Sequence, residues 1–137
     1  MIPTDLLDKY TMGGKIPTHD FYFPTGSNRT YLTYSKVLVD KFITAAHNKS
    51  VMHYPETDMW LYEAISKYPI TNNKLLIIGS EEPCYEGVAL ANGANVTMVE
   101  YQKVVSEHPQ LKTLTVEEFE KSNDLFDSAI SISSVEH

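Results

Sequence analysis

The spacing of apolar positions changes once along the chain. Before about residue 73 apolar residues recur at helical intervals or irregularly. From Lys74 they come in short unbroken runs. The first 34 residues hold Pro3, Pro17, Pro24, Gly13, Gly14 and Gly26, which forbid a long helix. They read as an extended arm, residues 1–34, anchored on the domain by Phe21, Tyr22 and Phe23, with packing preferred over a lid role. Ser35 then caps a helix to about Asn48, with Leu38, Phe42 and Ala45 on one face and Ala46 beside them. Tyr54-Pro55 breaks the chain. Thr57 caps a second helix, with Asp58 favourable in its first turn. Leu61, Ala64, Ile65 and Tyr68 form its apolar face, Trp60 borders that face, and Pro69 ends the helix.

Leu75, Leu76, Ile77 and Ile78 have the continuous apolar character of a strand covered on both faces in a parallel sheet, stopped by Gly79-Ser80. Pro83 suits a first helical turn, Tyr85, Val88 and Ala89 share a face, and Gly93 stands where a helix C-terminal cap belongs. A second strand runs from Val96 to Val99 and ends at Glu100. A helical turn is expected from Lys103 to Glu107, then a third strand from Leu111 to Leu114. Thr115 and Glu118 have capping-box spacing for a short helix carrying Phe119. Phe126-Asp127 opens a fourth strand, Ser128-Ala129-Ile130-Ser131-Ile132-Ser133. Strands alternating with helices imply an α/β fold, a parallel sheet with right-handed crossovers, in one domain over residues 35–137. The two N-terminal helices are expected to cover that sheet.

Composition narrows the function. Eleven basic residues stand against 18 acidic ones, for a net charge of −7, and the basic residues do not cluster. Such a surface repels phosphate backbones, so nucleic-acid binding is not expected. No apolar run reaches membrane-spanning length, and the opening MIPTDLLDKY lacks the basic start and apolar stretch expected of a signal peptide. With Cys84 the single cysteine, no internal disulfide forms, and a cytoplasmic location is expected. The Asn-X-Ser/Thr triplets at Asn28, Asn48 and Asn95 therefore read as chance matches.

The chemistry gathers at the ends of the first two strands. Gly79 ends one and Glu100 the next, 21 positions later. A small residue at the first turn lets a ligand approach the backbone, and a carboxylate about 20 residues on accepts hydrogen bonds from ribose hydroxyls. The turn Gly79-Ser80-Glu81-Glu82-Pro83-Cys84 lacks the further glycines of a dinucleotide fingerprint. Glu81 and Glu82 would repel a pyrophosphate at a helix N-terminus, unless they are simply solvated carboxylates. An adenosine ligand without phosphate fits this better than NAD. Gly79, Ser80 and Glu100 are the expected cofactor contacts. Tyr101 is the fourth, to be weighed between stacking on adenine and packing.

Other residues offer less. Glu136 and His137 fall just past the fourth strand, where a base could accept a substrate proton, but no catalytic role is assigned to them. Asp127, at the far end of that strand, reads as structural. His19, His47, His53 and His108 show no metal-ligand spacing. Cys84, beside a helix N-terminus, would be an activated thiolate but for Glu81 and Glu82.

Glu56-Thr57-Asp58-Met59-Trp60-Leu61-Tyr62-Glu63-Ala64-Ile65, Leu76-Ile77-Ile78-Gly79-Ser80, Pro83, Tyr85-Glu86, Ala89-Leu90, Gly93-Ala94, Val96-Thr97-Met98-Val99-Glu100-Tyr101, Phe126-Asp127-Ser128-Ala129 and Ser133-Ser134-Val135-Glu136-His137 together resemble an uncharacterised domain family first catalogued in nematodes. The resemblance covers about residues 53–137. That family is similar to class I S-adenosylmethionine-dependent methyltransferases. The resemblance implies a Rossmann-like, methyltransferase-type sheet of strand order 3-2-1-4, truncated after the fourth strand. It also implies S-adenosylmethionine as cofactor and a sugar or polysaccharide as acceptor. The alternative is a non-catalytic remnant that acts by binding or self-association. The uncharged, proline-free strand from Ser128 to Ser133 would then be an edge that invites a second copy.

Overall fold

The computed structural model describes residues 3–18 and 32–132. The expected aromatic anchor Phe21, Tyr22 and Phe23, together with Ser133, Glu136 and His137, lies outside the described residues. The elements in chain order are α1 (Leu7–Tyr10), β1 (Leu32–Tyr34), α2 (Lys36–His47), α3 (Pro55–Lys67), β2 (Lys74–Ile78), α4 (Cys84–Ala91), β3 (Asn95–Glu100), β4 (Val104–Ser106), β5 (Leu111–Thr115), α5 (Val116–Glu120) and β6 (Ser128–Ser131).

The strands fall into two separate parallel sheets, one of four strands in the order β5-β3-β2-β6 and one of two, β1-β4. This corrects the expectation of one Rossmann-type sheet of order 3-2-1-4. The second sheet was missed because its halves are distant in sequence. Leu32 pairs with Val104 and Tyr34 with Ser106. Val104 and Val105 were expected in a helical turn, but adjacent β-branched residues favour extended backbone once a partner strand supplies the ladder. The smaller sheet joins the larger through a side chain, the Thr113 hydroxyl donating to the Val104 carbonyl at 2.9 Å.

In the larger sheet Leu75, Leu76 and Ile77 of β2 and Val96, Thr97, Met98 and Val99 of β3 are buried. α4 lies on this sheet and α2 packs against α4, so α2 forms an outer layer. Gly87 allows the close approach of the two helices. A Cβ there would lie 2.5 Å from Phe42 Cβ and 2.7 Å from the Phe42 backbone carbon. With the sheet on one side and α2 on the other, α4 has no wet face over its first turns, and every residue from Cys84 to Ala89 is buried.

Local signals decide several boundaries. The Ser35 hydroxyl accepts the Leu38 N–H at 3.2 Å. Thr115 and Glu118 close a reciprocal capping box at α5. Gly93, at φ +80°, follows the α4 C-cap Asn92. Asp127 ties the start of β6 to β2, its carboxylate accepting the Lys74 N–H at 2.8 Å.

α3 differs from its sequence pattern. It starts at Pro55 with Tyr54 as N-cap, so Thr57 lies inside it. Its buried residues are Asp58, Tyr62 and Ile65, while Trp60, Ala64 and Tyr68 are exposed. The inward face turns because Asp58 is a buried acceptor. Its carboxylate takes the N–H groups of Met52 (2.6 Å) and His53 (3.0 Å) and the Tyr85 hydroxyl (3.1 Å). A pattern that assigns every carboxylate to solvent places this helix about a quarter-turn away.

Candidate functional site at the carboxyl edge of the larger sheet

β2 and β3 run parallel and adjacent, so their carboxyl ends open on the same edge. Beyond β2 the chain enters the left-handed region at Gly79, φ +70°, a conformation glycine adopts without a Cβ clash. The Gly79 N–H still donates to the Val99 carbonyl at 2.9 Å, which extends the β2–β3 pairing by one bond. The turn therefore folds back over the end of β3. There the Glu100 carboxylate accepts the Ser80 N–H at 2.9 Å through one oxygen and the Tyr101 N–H at 2.8 Å through the other. Gly79, Ser80 and Glu100, named from spacing alone, meet at one point. All three are half-buried.

The turn is tied down on its other side. The Tyr34 hydroxyl donates to the Ser80 carbonyl at 2.9 Å, so the end of β1 reaches across from the smaller sheet. The Ser80 hydroxyl donates to the Glu82 carbonyl at 2.8 Å. Burial, and then the nearby charge of Glu86, push the Tyr34 phenol well above the ordinary tyrosine range, so it stays protonated as a donor.

Glu86 was not singled out from the sequence. It lies in the first turn of α4, is fully buried, and neither of its carboxylate oxygens has a hydrogen-bonding partner among the described residues. Burial pushes its carboxyl up to about 7, and the charge of Glu100 adds to the rise. The α4 backbone and the Ser80 hydroxyl oppose it, although the hydroxyl proton already serves Glu82. A signal for Glu86 was available. The helix Cys84–Ala91 carries a single charge in an otherwise apolar segment. A helix apolar all round is a buried helix, so its lone carboxylate is buried with it.

The side chains of the remaining expected residues take no part in this meeting point, although the Tyr101 N–H and the Glu82 carbonyl do. Tyr101 is 86% exposed, which rules out its packing role and leaves its ring turned to solvent. Glu81 and Glu82 are exposed. Cys84 is buried, and burial followed by the charges of Glu82 and Glu86 pushes its thiol up to about 12, the opposite of an activated thiolate. His108 is buried, 3.6 Å from Asp40, and its Nδ1 accepts the Gln110 N–H at 3.3 Å.

Among the described residues no group of three or more His, Cys, Asp or Glu side chains is placed to hold a metal ion, and no aromatic cluster lines the edge. The methyltransferase-like and Rossmann-like character implied by the family resemblance is corrected by the sheet topology. What the described residues form is a small α/β fold with two sheets. No helix among them is long and apolar enough to cross a membrane. Comparison with family models, curated proteins and solved structures returns no match to this chain.

Proposed function

We propose that the carboxyl edge of the larger sheet binds a small ribose-bearing ligand, with S-adenosylmethionine as the first ligand to test. One observation carries the reading: the Glu100 carboxylate and the Gly79-Ser80 turn are in direct contact at the ends of two adjacent parallel strands. Each carboxylate oxygen has about two lone pairs. The Ser80 and Tyr101 N–H groups use one on each oxygen, so each retains one for a sugar hydroxyl. The same two bonds hold the carboxylate in place before the ligand arrives, which lowers the ordering entropy of binding. Open parallel sheets bind ligands at this edge because loops diverge there and leave a crevice. Isothermal titration with S-adenosylmethionine and S-adenosylhomocysteine tests the reading. The wild type should bind, and Glu100→Ala should bind at least about tenfold more weakly, the scale of one charge-assisted hydrogen bond. Absence of heat with both ligands would remove the reading.

A second reading rests on a separate observation. Among the described residues β6 pairs only with β2, and Ala129 and Ser131 are exposed along it. An uncharged edge strand templates the addition of another strand. In this reading the chain acts through association with a second copy at β6. Sedimentation velocity over rising concentration should then show a dimer that Ala129→Lys suppresses. A monomer throughout would dismiss it.

A further inference from the structure

Glu86 is the largest unexplained feature of the described residues. A carboxylate removed from water is ordinarily paired, hydrogen-bonded or bound to a cation. Among the described residues Glu86 has none of these. Its surroundings intensify the deficit: among the described residues the groups electrostatically coupled to it are the Glu100 carboxylate, the Tyr34 phenol and the Cys84 thiol, each neutral or negative. Ser80 stands beside both Glu86 and Glu100. Ser80 has no proton left for Glu86, its N–H going to Glu100 and its hydroxyl to Glu82. Among the described residues two carboxylates thus converge on one turn with no positive group between them. Packing alone does not call for this, because an apolar or amide side chain at position 86 would leave no buried acid.

We infer that Glu86 is a specificity-determining residue of the proposed ligand site, and that it selects ligands carrying an organic cation, an ammonium or sulfonium, next to the ribose. The inference rests on the ribose-binding reading of Glu100 and adds the charge of the ligand to it. Glu100 holds the sugar, and the cationic substituent enters beside Ser80 between the two carboxylates. The Tyr34–Ser80 hydrogen bond is the contact that must open, since it ties down the turn whose Ser80 stands beside Glu86. A cation seated there gains attraction from both carboxylates in a poorly hydrated place, where a charge pair is worth several times its value in water. A phosphate in the same place meets two like charges, and Glu81 and Glu82 are exposed on the same turn. The site therefore ranks ligands by charge.

Three adenosine probes differing only at the 5′ position read that ranking: 5′-amino-5′-deoxyadenosine (cationic), adenosine (neutral) and adenosine monophosphate (anionic). Wild-type protein titrated at pH 7.5 should bind the amine at least about tenfold more tightly than adenosine, with the phosphate weakest. In Glu86→Gln the preference for the amine should shrink to about twofold while adenosine affinity is retained, separating charge selection from sugar binding. Equal wild-type affinity for amine and adenosine would overturn the inference and leave the ribose site standing. A preference for the amine that survives in Glu86→Gln would also overturn it. Failure of all three probes to bind would remove the ribose site, and this inference with it. The wild-type ranking needs no variant, so the test holds even where Glu86→Gln folds poorly.

Discussion

Replacing Glu86 by Gln should change how stability depends on pH, and the size of the change follows from burial. The unfolded chain titrates Glu86 near 4.5, and the folded protein near 7. Below 4.5 the group is protonated in both states and contributes nothing to the pH dependence. Between these values the unfolded state ionises while the folded state keeps its proton, so the folded state binds more protons and stability falls as pH rises. Above about 7 both forms are ionised and the loss is complete. At about 1.4 kcal/mol per pH unit, a gap of roughly 2.5 units corresponds to about 3 kcal/mol. Gln carries no titratable proton, so Glu86→Gln lacks this decline. Its amide is also unpartnered, but that penalty is the same at every pH and cancels when profiles are compared. Urea denaturation followed by circular dichroism from pH 4 to pH 8 gives both profiles. The stability of Glu86→Gln relative to wild type should rise by about 3 kcal/mol across that range, most of it between pH 5 and pH 7. Groups such as Glu118 and Asp124, whose pairing with lysines holds their carboxyls low, act equally in both proteins and drop out. Parallel profiles would show that the Glu86 carboxyl reaches water or a partner in solution, and the account of a sealed acid would fail.

Three further outcomes follow from packing and hydrogen bonding. Gly87→Ala should destabilise despite the better helix propensity of Ala. The added methyl lies 2.7 Å from the Phe42 backbone carbon. Overpacking of about 1–3 kcal/mol or more exceeds the propensity gain of about 1 kcal/mol, so a thermal melt should drop by roughly 3–8 °C. Asp58→Ala strips acceptors from the Met52 and His53 N–H groups and the Tyr85 hydroxyl, and should cost about 3–5 kcal/mol in urea denaturation. A cost under about 1 kcal/mol would mean that water replaces the carboxylate. Cys84, with its thiol pushed up to about 12, should resist iodoacetamide at pH 8 in the native state and react promptly in urea. Fast native alkylation, read by mass spectrometry, would contradict its burial.

Local order alone settled much of this molecule. Apolar runs at Leu75–Ile78 and Val96–Val99 mark strands because a chain covered on both faces needs no polar alternation. Ser35 and the Thr115–Glu118 pair mark helix starts because capping acts within three residues. Gly79 and Glu100 could be named because the ends of adjacent parallel strands share one edge. Tertiary structure alone decided whatever depends on a distant partner. Tyr34 and Val104 became strand residues only by meeting each other's strand, which adds a second, separate sheet to the four-stranded one. Asp58 turned inward because the backbone of Met52 and His53 and the Tyr85 hydroxyl were waiting for an acceptor. Glu86 lost its water because the larger sheet and α2 close on both sides of α4. Propensity and capping act over a few residues and leave a trace in the sequence. Burial is a property of the assembled layers, so the environment of a charged side chain takes shape only when they pack.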